Sequence, residues 1–404
     1  MTMQTIGFAA SDVDPFSSEF LRDPYPCHNA LREAGPVVRL ERYGIWAMAR
    51  YAEVNQTLLD WETFCSSAGV GISDFRKEPP WRPPSLILEA DPPLHTNTHR
   101  VLARVLSPAV LRSLRPAFER DADALVDTVL TMGEFDGIAD VARAYPLKVF
   151  GDAVGLPADG RERLLAYGNM VFNAFGPRNA LFEDAVAAVQ PVLGWINAMC
   201  SREALAPGGI GAAVYAAVDL GEIAPEQAPV LVRSLLSAGL DTTVNAIGNA
   251  LFCFAKYPAA WNEVRDDPSR ARAAFDEAMR FESPVQTFFR TTTRAVDVSG
   301  VAIPEGEKVL MFLAAANRDP RRWESPDTFD VHRRTGGHVG FGAGIHRCVG
   351  EAIARLEGTA LIAALARRVA SIELAGEPVQ RLNNTLRGFE SLPLAVRAPK
   401  SAPA

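Results

Sequence analysis

A glycine-rich stretch containing one cysteine, residues 338–350, has the residue types best suited to cofactor chemistry. Three of its glycines lie within five positions, and Cys348 follows just before a long apolar-periodic segment. Glycine lets a backbone bend tightly and approach a flat group closely. A cysteine at the start of a helix can be held as a thiolate, because free N–H groups and the helix dipole stabilise its charge. The stretch therefore predicts a sulfur ligand presented to a flat group.

Three other interpretations of the same stretch are weaker. Gly342 and Gly344 begin a dinucleotide-binding fingerprint, but its next glycine would stand where the chain has Arg347, and the βαβ context is absent. A zinc site using His346 and Cys348 lacks a second Cys/His pair at useful spacing. A structural buried cysteine is the usual outcome for a lone cysteine. The surrounding glycines and histidine favour a ligand instead.

The composition is that of an ordinary globular protein of 404 residues, with 48% hydrophobic and 22% charged residues. The formal charge of -7 argues against a nucleic-acid partner. Five scattered cysteines indicate neither a disulfide framework nor a zinc knuckle and fit a reducing cytoplasm. Residues 1–20 contain acidic side chains and no apolar core, so we expect no signal peptide, no membrane anchor and a cytoplasmic location.

The elements that must position the cysteine are mostly helical. The longest apolar segment, residues 225–256, is expected to be a buried central helix. Further helices are predicted at residues 93–106, 108–132, 145–154, 157–175, 181–203, 259–266, 269–281 and 349–370. Short strands are predicted at residues 37–40, 44–48, 291–298, 308–312, 372–374 and 392–396. With no repeat and no linker, the pattern predicts a mainly α fold with small β-sheets, residues 1–404 forming a single domain.

Two pairs of polar residues lie within the predicted helical segments. Glu277 and Arg280 share a helical face, and such a pair is usually an exposed one worth a few tenths of a kcal/mol. Asp241 and Thr242 follow Gly239 in the central apolar segment, where Asp241 can be the N-cap of a second helix after a break. Alternatively, Thr242 hydrogen-bonds back into the helix and opens a groove.

The cysteine stretch resembles the ligand loop of the cytochrome P-450 haem-thiolate monooxygenases. That family pattern is Phe-Gly-x-Gly-x-His-x-Cys-x-Gly, filled here by Phe341, Gly342, Gly344, His346, Cys348 and Gly350. The resemblance implies the cytochrome P-450 fold, with haem b buried between a long central helix and the loop. It makes Cys348 the iron ligand, which favours O–O cleavage. Phe341 would cover the sulfur, and Gly350 would let the helix approach the porphyrin.

The resemblance also implies residues that meet the haem propionates. They are His95, Arg290 and His338, together with His346 of the loop. The family usually has an arginine four residues after the first of these, where this chain has His99, followed by Arg100. Whether His99, Arg100 or neither reaches a propionate is left open by the sequence.

Both polar pairs have counterparts in the family. Asp241 and Thr242 resemble its acid-alcohol pair, which relays protons when O2 is the oxidant. Glu277 and Arg280 resemble an internal structural pair that meets an arginine or histidine of the following meander. The candidates for this third partner are Arg318, Arg321, Arg322 and Arg333.

Four local stretches resemble the bacterial branch that acts on para-substituted benzoates: residues 81–85, 171–175, 233–238 and 283–290. A flat pocket for a benzene ring is expected from Phe172, Phe175 and Phe288. The substrate carboxylate is expected to meet Arg82, Ser85 and Ser234. Ala238 and Val285 complete the predicted lining. Without the resemblance, Arg82 would be an exposed loop arginine stacked on Trp81, and the phenylalanines an ordinary core.

The resulting prediction is a monooxygenase that uses O2 for O-demethylation or hydroxylation of para-substituted aromatic acids such as 4-methoxybenzoate. The segment after Cys348 is too short for a reductase module, so electrons are expected from a separate [2Fe-2S] ferredoxin, reduced by an NADH-dependent flavoprotein. Arg347 is a candidate for its docking face. The alternatives are a peroxygenase of the same fold and a haem-binding sensor or electron carrier without substrate oxidation.

Overall fold

The computed structural model describes residues 8–399. The expectation of no signal peptide concerned residues 1–20, and the first seven of these lie outside the described residues. The helices are α1 Ser18–Arg22, α2 Tyr25–Ala34, α3 Tyr51–Leu59, α4 Leu94–Val105, α5 Pro108–Met132, α6 Ala144–Val154, α7 Arg163–Asn173, α8 Ala180–Val189, α9 Leu193–Met199, α10 Ile210–Asp219, α11 Gln227–Ala238, α12 Asp241–Lys256, α13 Pro258–Asp266, α14 Ala271–Phe281, α15 Leu313–Asn317 and α16 Glu351–Arg368. The strands are β1 Ala9–Ser11, β2 Val38–Leu40, β3 Ile45–Met48, β4 Phe64–Cys65, β5 Glu134–Asp136, β6 Thr287–Thr292, β7 Val296–Val298, β8 Val301–Ile303, β9 Lys308–Phe312, β10 Ser371–Leu374, β11 Val379–Arg381, β12 Gly388–Ser391 and β13 Pro393–Arg397.

The strands form small sheets beside a larger helical body, which confirms the predicted fold class. A six-stranded sheet has the order β1-β2-β3-β9-β6-β4, and a three-stranded sheet has the order β10-β13-β5. The pairs β11-β12 and β7-β8 are antiparallel. Strand β9 is buried along its whole length and lies between β3 and β6, which explains the apolar run 309–312 that follows Lys308. This sheet carries Phe288 and Arg290 of β6 toward the helical body.

The central helix is the main departure from the prediction for residues 225–256. It is divided into α11 and α12 by a break at Gly239 and Leu240. A Cβ at position 239 would collide with the ring of Phe150, so only glycine permits this approach. Leu240, and not Asp241, occupies the N-cap position. Helix α12 is buried on almost every face, as its apolar sequence indicated.

The Glu277 and Arg280 pair of α14 is fully buried and confirms the structural interpretation. Arg280 donates from Nε and Nη2 to the two Glu277 carboxylate oxygens at 2.7 and 2.8 Å. Arg333 is the meander arginine that joins them, with its Nε 3.2 Å from Glu277 Oε1. Arg280 Nη1 also donates to the carbonyl oxygen of Asn317, and Asn317 Oδ1 accepts from the N–H of Val339. This chain of hydrogen bonds reaches the cysteine loop.

Several predicted boundaries were wrong because local sequence does not show where tertiary contacts end an element. The helix expected from residue 157 begins at Arg163, and the one expected over residues 181–203 is divided into α8 and α9. Helix α10 was not predicted, and the strand expected at 291–298 is the end of β6 followed by β7. Within residues 8–399, no helix is long and apolar enough to cross a membrane.

Candidate active site

One large cavity lies between the cysteine loop, the α11–α12 break, α4 and α7. It contains about 1650 Å³ of atom-free space, part of it open to solvent, and its lining is mostly apolar. Cys348 lies in its wall, as do Thr242 and all the residues predicted to contact the substrate. These predicted site residues come from distant segments of the chain, and in the structure they line one cavity.

The cysteine loop has the tight backbone that its glycines predicted. Gly342 and Gly344 adopt φ values of 70° and 68°, a region that favours glycine. A Cβ at Gly344 would lie 2.6 Å from the carbonyl oxygen of Leu58, so the loop also passes close to α3. The N–H of Cys348 donates to the carbonyl oxygen of Phe341 at 2.9 Å. This turn exposes Cys348 to the cavity, and α16 begins at Glu351 rather than at the predicted residue 349.

The exposed surface of Cys348 faces the cavity, and protein atoms surround the rest of the residue. Burial raises the pKa of its thiol, while the Gly350 N–H, Arg347 and Arg355 act in the opposite direction. The sequence suggested that the start of a helix would stabilise a thiolate at Cys348. Because burial raises the pKa of the thiol, the helix start alone is not sufficient. A metal cation at the sulfur would supply the missing stabilisation, since a coordinating thiol is deprotonated.

A cluster of basic side chains at one edge of the cavity has unused hydrogen-bonding groups. Within residues 8–399, His95 Nε2 and both ring nitrogens of His346 have no hydrogen-bond partner. The two rings lie 4.4 Å apart between centroids, and His99 lies 5.2 Å from His95. Arg290 is buried, and burial lowers its pKa to about 10. These groups have the chemistry to bind buried anionic oxygens, and the carboxylate nearest to them, Asp91, has its Oδ1 3.7 Å from His346 Nε2, beyond hydrogen-bonding distance.

The structure also separates the predicted propionate partners. His99 lines the cavity, whereas Arg100 is exposed and lies outside the lining. His338 lies outside it as well, so the cavity lining does not support its assignment to a propionate. Its Nδ1 accepts from the N–H of Gly340 and its ring packs against Phe341, while its Nε2 is buried without a hydrogen-bond partner among the described residues. Burial lowers the pKa of His338 to about 3.

These observations fit the haem that the sequence resemblance implies. Cys348 supplies a sulfur donor, and the buried groups with free N–H capacity, His95, His346 and Arg290, match two carboxylate side chains. A Cβ at Gly350 would lie 3.8 Å from Cys348 Sγ, the nearest described atom, so the glycine leaves space on the cavity side. Phe341 lines the cavity beside the sulfur. The donor set and the free space are therefore consistent with an iron porphyrin.

Thr242 and Asp241 have different surroundings although they are adjacent. Thr242 lines the cavity, and its hydroxyl donates to the carbonyl oxygen of Ala238 at 2.8 Å, as predicted. The Asp241 carboxylate lies outside the lining and is fully buried. Arg381 of β11 donates to its two oxygens at 2.8 and 3.2 Å. Of the two residues assigned to the proton relay, only Thr242 therefore lines the cavity.

The predicted carboxylate-binding residues meet at one place in the cavity, which we call the acid end: Arg82, Ser85 and Ser234. The hydroxyl oxygens of Ser85 and Ser234 are 3.1 Å apart. Arg82 is mostly buried and not an exposed loop residue, although its guanidinium lies 5.5 Å from the Trp81 ring centroid. Its Nη1 donates to Glu89 Oε2 at 3.0 Å. The acid end therefore combines one arginine with two hydroxyl groups.

Three phenylalanines form an aromatic wall in the same cavity. The ring centroids of Phe172 and Phe175 are 5.7 Å apart with nearly perpendicular planes, and those of Phe175 and Phe288 are 5.6 Å apart. Ala238 and Val285 also line the cavity. The first contact is edge-to-face and the second is tilted, and aromatic pairs of this kind add to the stabilisation that comes from apolar burial. The wall is a rigid apolar surface next to the acid end.

The sequence interpretation missed two residues that hold the site together. Glu89 accepts hydrogen bonds from Arg82 and from the Ser85 N–H. In the sequence it could have been recognised as an acidic residue one turn after Ser85. Arg381 binds Asp241 from a position 140 residues away, and no local pattern indicated this contact. Leu88 lines the cavity in the segment after the proline-rich loop.

Comparison with known proteins identifies the family. The cytochrome P-450 family model matches residues 219–385. Cytochrome p450 CYP199A2 of Rhodopseudomonas palustris is 60% identical over 383 residues, covering 95% of this chain and 93% of the relative. Vitamin D(3) 25-hydroxylase of Pseudonocardia autotrophica is 31% identical and covers 100% of both chains. The solved structure of cytochrome P-450 CYP109Q5 from Chondromyces apiculatus matches with a TM-score of 0.81 at 28% identity, covering 97% of this chain and 100% of that one. The chain belongs to the cytochrome P-450 family, and it is a monooxygenase whose cofactor is haem b.

Proposed function

We propose that this monooxygenase oxidises the para substituent of aromatic carboxylic acids, with O-demethylation of 4-methoxybenzoate as the representative reaction. The observation that carries the proposal is the acid end, where a buried arginine and two hydroxyls adjoin a wall of three phenylalanines. A buried arginine beside hydroxyl groups suits a carboxylate through charge-assisted hydrogen bonds. An aromatic wall suits the flat ring attached to it.

The spacing of residues on α11 and α12 supports binding in one orientation. Ser234, Ala238 and Thr242 follow one another at intervals of one turn, and all three line the cavity. Thr242 lies beyond the break at Gly239 and Leu240, in the first turn of α12, so the three residues follow the cavity wall from the acid end to the start of that helix. An acid anchored near Ser234 would therefore present its para substituent near Thr242. Positioning of this kind removes much of the entropic barrier to reaction.

The proposed reaction inserts one oxygen atom of O2 into a C–H bond of the methoxy group. The product hemiacetal collapses to a phenol and formaldehyde, and the second oxygen atom leaves as water after uptake of two electrons and two protons. Bound haem with a thiolate ligand supplies the O–O cleavage. The chain's own residues bind the carboxylate, exclude water with the phenylalanines and hold a proton at Thr242 Oγ1. Asp241 would deliver protons to Thr242 after exchanging its contact with Arg381.

An Arg82→Met variant tests the acid end. Because Arg82 provides the charged contact to the substrate, we expect the dissociation constant of 4-methoxybenzoate to rise about 10²-fold, as for the loss of one partner of a buried charged contact. The dissociation constant of neutral 4-methoxybenzamide should change little. The change in haem absorbance on titration measures both. Strong binding of neutral anisole by the unaltered protein, with no response to the acid, would reject the proposal.

We further propose that a separate [2Fe-2S] ferredoxin, reduced by an NADH-dependent flavoprotein, delivers the electrons. Arg347 next to Cys348 is exposed, as a docking residue must be, but Glu351 accepts from its Nε and Nη2 at 2.5 and 2.7 Å. Much of its charge is therefore balanced within the chain. Docking would then depend on the wider surface around the loop rather than on Arg347 alone.

An Asp241→Asn variant separates the O2-dependent reaction from a peroxygenase reaction. General acid catalysis contributes about 10²- to 10⁴-fold, so we expect turnover with ferredoxin and O2 to fall by at least about 10². Hydrogen peroxide already carries the protons that O2 must take up, so turnover with peroxide should change little. Formaldehyde release measures both reactions. An unaltered protein that turns over only with peroxide would support the peroxygenase alternative.

A further inference from the structure

We propose that Glu89 is a positioning residue that reduces the net charge of the acid end, so that the pocket selects singly charged acids over doubly charged ones. The inference rests on the proposed function, because it concerns the same acid end. Glu89 lies behind the cavity wall, in a smaller hollow that it shares with Phe175. It therefore acts on the substrate through Arg82 and Ser85.

A single oxygen of Glu89 fixes both neighbours. Glu89 Oε2 accepts from Arg82 Nη1 at 3.0 Å and from the Ser85 N–H at 2.7 Å. The side chains of Glu89 and Arg82 are 3% and 10% exposed, so water screens the pair little. Among the residues that the structure describes, Arg82 Nε is buried and has no hydrogen-bond partner. Glu89 thus fixes the orientation of the guanidinium at the acid end.

The charges around the acid end add to one positive unit. Arg82 and Arg233 each contribute a guanidinium, and Arg233 Nη2 donates to the carbonyl oxygen of Pro83 on the same loop. Glu89 contributes the opposing carboxylate. Two further titratable groups are near: burial raises the pKa of Tyr167 and raises that of Cys200 to about 11. Both remain neutral at pH 7, so one bound carboxylate makes the acid end neutral.

This balance predicts selectivity because a buried charge without a partner is unfavourable. A monoanion compensates the single excess positive charge, whereas a dianion would bring one negative charge too many. Removing the Glu89 charge would leave two guanidinium groups without a carboxylate. The acid end would then favour the dianion.

The Glu89→Gln variant of the full-length holoenzyme tests this inference, because glutamine keeps the side-chain shape and an acceptor oxygen. Three probes share the methoxyphenyl group and differ in charge: 4-methoxybenzamide, 4-methoxybenzoate and 4-methoxyphenylphosphonate, the last at a pH where it is doubly charged. We expect the variant to improve the affinity for the phosphonate relative to the benzoate by about tenfold or more. Its affinity for the benzamide should stay the same. Titrations in chloride-free buffer, followed by haem absorbance, measure all three.

Glu282→Gln is the matched control, because Glu282 is an equally buried glutamate paired with Arg387 at 2.9 Å away from the cavity. It should leave the ratio of the three affinities unchanged. An unchanged phosphonate-to-benzoate ratio in Glu89→Gln, or an equal loss for all three probes, would overturn the role of Glu89. Failure of the proposed function itself would appear in the unaltered protein, as equal affinity for the benzamide and the benzoate.

Discussion

We expect a Cys348→Ala variant to lose thiolate ligation of the haem and its monooxygenase activity to fall to background. Cys348 is the cysteine in the wall of the cavity, and alanine offers no ligand in its place. The electron density that a thiolate donates to favour O–O cleavage would be lost. The Soret band of the reduced, CO-bound protein should therefore move away from the position typical of thiolate ligation. Formaldehyde release from 4-methoxybenzoate should become undetectable.

Cys253→Ala provides the same chemical change at a buried position outside the cavity lining. It should keep both the Soret band and the activity. A Cys348→Ala protein with an unchanged CO spectrum would show that another residue is the ligand. If the variant does not retain haem, reconstitution with added haem and CO reports the ligation directly.

A Glu277→Ala variant is expected to lose about 3–5 kcal/mol of folding free energy, the usual effect of leaving a buried charge without its partner. Arg280 and Arg333 would both lose their carboxylate contact. Arg280 also holds Asn317, which accepts from the Val339 N–H at the start of the cysteine loop. We therefore expect haem to dissociate at lower denaturant concentration than in the unaltered protein. Urea titrations followed by haem absorbance and by far-UV circular dichroism measure the two effects.

Glu119→Ala is the contrasting change, because Glu119 pairs with Arg115 on the exposed face of α5 at 3.4 Å. An exposed i,i+4 pair contributes about 0.3–0.5 kcal/mol, so this variant should unfold almost like the unaltered protein. Similar stability losses in the two variants would contradict the structural importance of the buried pair. A stable Glu277→Ala protein that keeps its haem would do the same.

The parts of the site that the sequence predicted are those whose chemistry is local. The turns at Gly342 and Gly344 and the cysteine that follows are all determined within a few residues. The return hydrogen bond of Thr242 is also local, because it reaches one turn back along the chain. The helical class followed from hydrophobic periodicity in the same way. The family resemblance then joined segments that periodicity alone cannot bring together.

The features that the sequence did not predict depend on contacts between distant segments. Arg381 meets Asp241 through the position of β11, and this contact removes the carboxylate from the cavity wall. His338 was predicted to meet a propionate from its residue type, yet it lies outside the cavity lining and accepts from the N–H of Gly340. The glycine at the break before α12 is required by the ring of Phe150, which lies on another helix. Each outcome was decided by a packing partner that no local pattern identifies.

The acid end also has a consequence for turnover. In the proposed reaction it would contact a carboxylate that demethylation does not alter, so it would bind the phenolic product as strongly as the substrate. Binding energy shared equally by all bound species lowers KM without accelerating the chemical step. The same contacts would slow departure of 4-hydroxybenzoate and make it a competitive inhibitor. A stronger anchor at Arg82 would then reduce the steady-state rate once product release limits turnover.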